Sequence, residues 1–112
     1  MPYDETTAAR IRRLLARRKG FAEKKMFGGV GFLLRGNMGV GVWKEYLILR
    51  VGEAAYVDAL REPCVKEFDI TGRAMTGWIM VEPAGFADDA DLADWIRRAV
   101  AFVKTLPAKP GA

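Results

Sequence analysis

Residues 30–51 read VGFLLRGNMGVGVWKEYLILRV, and two turns inside this stretch decide the architecture. Gly36-Asn37 is a two-residue hairpin signal between apolar segments, and Lys44-Glu45 separates the next pair. The reading is three antiparallel strands, Val30–Arg35, Met38–Trp43 and Tyr46–Val51. A turn at Gly36-Asn37 sets Leu34 opposite Gly39, Phe32 opposite Gly41 and Val30 opposite Trp43. The second turn pairs Trp43 with Tyr46 and places Ile48 and Arg50 on the same side. One face then carries Leu33, Met38, Val40, Val42, Leu47, Leu49 and Val51, an aliphatic core face. Its opposite carries Phe32, Gly39, Gly41, Trp43, Tyr46, Ile48 and Arg50.

Outward from this meander the pattern continues. Upstream, Glu23–Phe27 reads as a further strand, preceded by a helix from Asp4 or Thr6 to about Lys19 and a stop at Gly20. Downstream come a short helix over Glu53–Arg61 ended by Pro63, and strands at Lys66–Ile70 and Trp78–Glu82. A last helix opens at Asp88 or Asp89 and runs to about Leu106. Its apolar positions Leu92, Trp95, Ile96, Ala99, Val103 and Leu106 form one stripe. The predicted fold class is α+β: an antiparallel sheet with helices packed against it, in the order α-β(4)-α-β(2)-α. Residues 1–107 form one domain, and 108–112 are expected to be a disordered tail.

A one-sided antiparallel sheet alternates apolar with polar residues, and this one does not. Ile79 and Val81 match the aliphatic side, which leaves Trp78 and Met80 for the aromatic one. Something must cover that second face: one of the chain's own helices, a partner chain, or a ligand or nucleic acid. Gly39 and Gly41 leave a hollow there that Phe32 or Trp43 is large enough to fill. The candidate interaction face is therefore Phe32, Trp43, Tyr46, Arg50, Trp78 and Met80.

Residue content narrows the chemistry. The chain has no histidine and one cysteine, Cys64. Ser-His-Asp and Cys-His catalysis are excluded, as are most zinc sites and any internal disulfide. Cys64 reads as a packing residue. Asp88, Asp89 and Asp91 suit the start of a helix better than a metal. Gly28-Gly29-Val30-Gly31 lacks the ending of a phosphate loop and the third glycine of a dinucleotide fingerprint. Residues 25–32, KMFGGVGF, match an RNA-recognition octapeptide in part, but Gly29 stands where a stacking aromatic belongs. No catalytic, cofactor-binding or metal-binding residues are predicted. An enzyme using an unrecognised acid or base such as Arg50 or Glu53 ranks last. No apolar run spans a membrane and no secretory leader is legible, so a cytoplasmic location is expected.

The net charge of +4 is unevenly spread. Residues 1–25 hold eight Lys/Arg against three acids, a net of +5, while the rest is nearly neutral. On a helical wheel Arg10, Arg13 and Arg17 share the side opposite Ala8, Ile11, Leu14 and Leu15. With Lys24 and Lys25 they are the candidate phosphate contacts, should nucleic acid be a partner.

Several segments together resemble the N-terminal domain of TfoX/Sxy proteins. They are Glu23-Lys24-Lys25-Met26-Phe27-Gly28-Gly29, Gly36-Asn37-Met38, Leu49-Arg50-Val51-Gly52, Thr71-Gly72-Arg73-Ala74-Met75-Thr76-Gly77-Trp78, and the closing Leu92, Trp95 and Leu106-Pro107. The likeness runs from about Tyr3 to Pro107, with the Lys-Met-Phe-Gly-Gly segment its most specific part. The resemblance implies a fold like that of the YjbR and secretion-chaperone domains. It also implies a stand-alone, single-domain relative of the co-activators that regulate natural competence. The expected function is a non-enzymatic regulatory module acting by protein–protein contacts as a homodimer. The alternative is a nucleic-acid accessory protein using the basic first helix.

Overall fold

A computed structural model describes residues 3–108 apart from 17, 19, 27, 70 and 71. The elements are α1 (Glu5–Leu15), β1 (Phe21–Met26), β2 (Gly29–Leu34), β3 (Asn37–Trp43), β4 (Tyr46–Arg50), α2 (Glu53–Leu60), β5 (Val65–Glu67), β6 (Trp78–Val81) and α3 (Asp89–Val103). A 3₁₀ turn over Pro83–Phe86 leads into α3. The fold is α+β in the expected order α-β(4)-α-β(2)-α, with one six-stranded sheet ordered β1-β2-β3-β4-β6-β5. Every neighbouring pair is antiparallel.

Local chemistry explains the element ends. Asp4 caps α1: its carboxylate accepts from Thr6 N at 3.1 Å and from the Thr7 hydroxyl at 2.8 Å. The helix stops at Leu15, short of the expected Lys19, because Ala8, Ile11 and Leu15 are its last core contacts. Gly20 at φ +88° then turns the chain into β1. β5 ends at Glu67 instead of running to Ile70, and Phe68 leaves the sheet.

The core lies between the sheet and the helices. Ala8, Ile11 and Leu15 of α1, Ala59 of α2, and Leu92, Trp95, Ile96, Ala99 and Val100 of α3 pack with Val30, Val40, Val42, Leu47, Leu49, Ile79 and Val81. Burying a side chain of this size contributes about 1.5–3 kcal/mol, so this shared layer is the main source of stability. Cys64, half-buried, packs against it. Two arginines clamp the helical layer. Arg10 reaches Asp89 and the carbonyls of Phe86 and Ala87, and Arg98 links Glu62 to Asp94.

The hairpin register departs from the expected one. Leu34 pairs with Asn37, so the turn residues are Arg35 and Gly36, at φ +50° and +84°. Positive φ at both central positions is the type I′ geometry that matches strand twist. Asn37 belongs to β3, buried, with its side-chain amide donating to the Pro107 carbonyl at 2.8 Å. Phe32 then pairs with Val40 and Leu33 with Met38, so Gly39 is the unpaired residue of a bulge. A Cβ at Gly39 would meet Val103 of α3.

These shifts exchange several residues between the faces. Phe32, expected on the aromatic face, lies on the helix side and is 3% exposed in the core cluster. Leu33 and Met38, expected in the aliphatic core, share the opposite face. The β2–β3 pairs stay one residue off the expected ones, with Val30 opposite Val42. β3 and β4 keep the expected register: Trp43 pairs with Tyr46 and Gly41 with Ile48, and Arg50 pairs in turn with Trp78.

Candidate functional site

Alternation along the paired strands assembles the second face from Met26, Gly31, Leu33, Met38, Gly41, Trp43, Tyr46, Ile48, Arg50, Trp78 and Met80. The hollow in it is made by Gly31 and Gly41. Met38 fills it: its thioether is where a Cβ on either glycine would lie, 3.1 Å from Sδ at Gly31 and 2.7 Å from Cε at Gly41. Neither Phe32 nor Trp43 takes that place. A flexible methionine suits an irregular gap between strands.

Among the described residues the three helices pack on the other face, and α3 reaches this one at its edge, where the Phe102 ring meets Arg50. Part of it is covered by the chain between β5 and β6. Phe68 leaves the sheet edge, and its ring lies 5.9 Å from that of Trp78. Phe68 also bounds a small apolar hollow of about 30 Å³ with Met26, Met38, Trp43 and Ile48. The returning segment is fixed by Met75 N donating to Phe68 O at 3.2 Å and Trp78 N to Met75 O at 3.0 Å. Ile48 and Met80 are thereby 2% and 3% exposed, although neither belongs to the helix-side core. Met75 itself is 38% exposed, one of the two large apolar side chains left open to solvent among the described residues.

Cations surround the rings. Trp43 and Tyr46 stack with centroids 6.2 Å apart. Lys44 Nζ stands 4.6 Å from the Trp43 centroid and Lys66 Nζ 4.6 Å from that of Tyr46. The Arg50 guanidinium is 5.4 Å from the Trp78 ring and 5.6 Å from that of Phe102. Such contacts stabilise by about 0.5–1 kcal/mol where exposed. The strand charges are sorted by side. Lys24, Arg50 and Lys66 pair with Gly31, Trp78 and Met80 and lie on the second face, whereas both strand acids, Glu23 and Glu67, lie on the helix side.

The predicted residues divide accordingly. Trp43, Tyr46, Arg50, Trp78 and Met80 are brought together on one face, and Phe32 is on the other. Of the candidate phosphate contacts, Arg10 is committed to Asp89 and to two carbonyls, with its side chain 18% exposed. Arg13 is exposed, and Arg17 lies outside the described residues. Lys24 and Lys25 sit on opposite sides of β1. Sequence reading missed Phe68, Lys66, Met38 and Phe102 as contributors. Lys66 was legible in principle, because it falls in step with Met80 once β5 is paired. Phe68 was hidden inside an expected strand.

At the end of this face, Arg50, Gly52, Glu53, Ala54, Thr76, Gly77, Trp78 and Phe102 line an open cleft of about 380 Å³. The Gly77 carbonyl accepts from both Val51 N and Gly52 N, at 2.9 and 3.1 Å. Gly52 is at φ +86°, and the Phe102 ring occupies the space that a Cβ there would need. Among the described residues no group of three or more Cys, Asp or Glu side chains is arranged to hold a metal. No helix among them is long and apolar enough to cross a membrane.

Fold and face together define a small α+β domain with all its helices on one side of an antiparallel sheet and an aromatic, cation-bearing surface on the other. The chain belongs to the TfoX N-terminal domain family, whose model matches residues 13–103. No curated protein and no solved structure matches it.

Proposed function

We propose that this protein is a non-enzymatic regulatory module of the cytoplasm, related to the competence co-activators, that acts by holding a protein partner on its second sheet face. The observation that carries the reading is the composition of that face. Met38, Ile48 and Met80 form an aliphatic centre, Trp43, Tyr46 and Trp78 ring it, and its strand charges are all cations. Protein interfaces are enriched in aromatic residues, methionine and arginine around an apolar centre. The charge favours an acidic partner surface.

A second copy of the chain is the other occupant to weigh. Face-to-face pairing would bring Lys24, Arg50 and Lys66 of two copies together, so a homodimer of this kind would tighten with salt. An acidic partner would instead be released by it. Multi-angle light scattering at about 50 and 500 mM salt, on wild type and Trp43→Asp, separates these. Dimers that strengthen with salt and are lost in Trp43→Asp would identify the second copy as the occupant. Monomers under every condition leave the face to a different protein.

The nucleic-acid alternative is weaker than the sequence suggested, because Arg10 is already ion-paired and Lys24 and Lys25 face apart. An anisotropy titration of labelled DNA should therefore show no binding that depends on Arg10 and Arg13 together. Affinity that falls by several log units between low and high salt would restore that reading.

A further inference from the structure

Three arginines among the described residues are half-buried: Arg10, Arg50 and Arg98. Arg10 has a carboxylate and two carbonyls as acceptors. Arg98 has two carboxylates. Arg50 has neither an ion pair nor a hydrogen-bond acceptor among the described residues; only the Trp78 and Phe102 rings attend it. A guanidinium carries five N–H donors in a planar fork, and those of Arg50 stay open to solvent, where a ligand with two acceptor oxygens can replace water on them.

Those donors stand at the cleft of about 380 Å³ that Glu53, Thr76, Trp78 and Phe102 also line. Small-molecule sites span roughly 300–1,000 Å³. The cleft's frame is fixed by backbone, since the Gly77 carbonyl ties down Val51 and Gly52. Two segments distant in sequence, Arg50–Gly52 and Thr76–Trp78, are thus held together around one unpartnered cation.

We propose that this cleft binds a small organic carboxylate. The forked Arg50 donors match a carboxylate's two oxygens. The Thr76 hydroxyl is a further donor on the wall, and the Trp78 and Phe102 rings give the ligand's apolar body a surface to pack on. Glu53 selects among anions. One cation and one carboxylate leave the cleft near neutral, so a second negative charge gains no net attraction there while its heavier hydration must still be given up, which favours a monoanion over a phosphate dianion. The inference goes beyond the proposed function and does not rest on it, because the cleft lies at the end of the sheet and needs no partner on the face.

A carboxylate can come from a free acid or from the C-terminus of a peptide, and one titration tells them apart. ¹H–¹⁵N spectra are recorded with benzoate, benzamide, inorganic phosphate, and Gly-Phe with a free or an amidated C-terminus. Benzoate should move the Arg50 side-chain signal and the Thr76 and Gly77 amides saturably, and benzamide should not. Arg50→Gln should weaken benzoate at least about tenfold, with Arg50→Lys between the two. Ala54→Phe, which fills the cleft and leaves Arg50 in place, should abolish binding even if Arg50→Gln fails to fold. Free-acid Gly-Phe binding more tightly than benzoate assigns the site to a chain terminus, and the reverse order assigns it to a free acid. Benzamide matching benzoate, phosphate outcompeting it, or Ala54→Phe binding as wild type would each overturn the proposal, as would the lack of any saturable shift with benzoate.

Discussion

Gly39 of β3 lies directly against Val103 of α3: a Cβ on Gly39 would stand 2.7 Å from Val103 Cγ2. The contact sits at the one bulge in the β2–β3 pair, and it explains why the bulge residue is glycine. The extra residue turns toward the helix layer, and only a hydrogen in place of a side chain lets α3 lie close. Gly39→Ala should cost about 1–3 kcal/mol by overpacking. Val103→Ala in the same chain should recover part of that loss, a coupling that a double-mutant cycle in urea reads directly. Additive effects would show that the two residues do not meet.

Arg10 should behave as a structural residue. Arg10→Ala removes its hydrogen bonds to Asp89, Phe86 and Ala87 and its contact with the Phe86 ring. The expected loss is about 1–3 kcal/mol, since two carbonyls lose their charged donor. Arg13→Ala, on the exposed side of the same helix, should change stability by no more than about 0.5 kcal/mol. Equal effects from the two substitutions would contradict the clamp. Thermal or urea midpoints suffice to decide.

Acid should weaken the α1–β1 contact through Glu23. The Arg12 guanidinium donates to both its carboxylate oxygens, at 2.7 and 2.8 Å, and holds the Glu23 carboxyl below its ordinary value. A carboxyl whose folded pKa is lowered stabilises the fold above its unfolded pKa of about 4.3, and that stability is lost as pH falls through the folded value. Glu23 is partly exposed, so the effect is small. Urea midpoints measured from about pH 6 down to about pH 3 should fall more for wild type than for Glu23→Gln. Parallel curves would remove Arg12–Glu23 from the acid response. Asp94, held down by Arg97 and Arg98, contributes in the same direction in both proteins.

Most of the fold was legible because its signals are local. The strand segments, the three helices and the second apolar face follow from periodicity and turn residues, and all sit in the expected order. The register failed at Asn37, whose role is set by a carbonyl seventy residues away in sequence. A turn dipeptide cannot reveal that its asparagine is needed elsewhere, and moving the turn by one residue shifts the β2–β3 pairing by two, which alone leaves every side chain on its expected face. The bulge at Gly39 takes back one residue of that shift and so sets Phe32 opposite Val40 on the helix side, while the intact β3–β4 turn keeps Trp43, Tyr46, Ile48 and Arg50 on the expected side. Arg10 shows the opposite limit. Helical spacing puts it on the face away from the core, but the turn before α3 packs there too, and that contact is visible only in three dimensions.

The central claim, that the second sheet face holds a protein partner, is tested most directly by photo-crosslinking in the living cell. A photoreactive phenylalanine analogue is placed at position 43, and a control at position 101 on the exposed side of α3. A discrete crosslinked protein from position 43, absent from position 101 and lost when Lys24 and Lys66 are both changed to Glu, is the predicted result. The same background from both positions would contradict the account and leave the aromatic face covered well enough by Phe68 and Met38 alone.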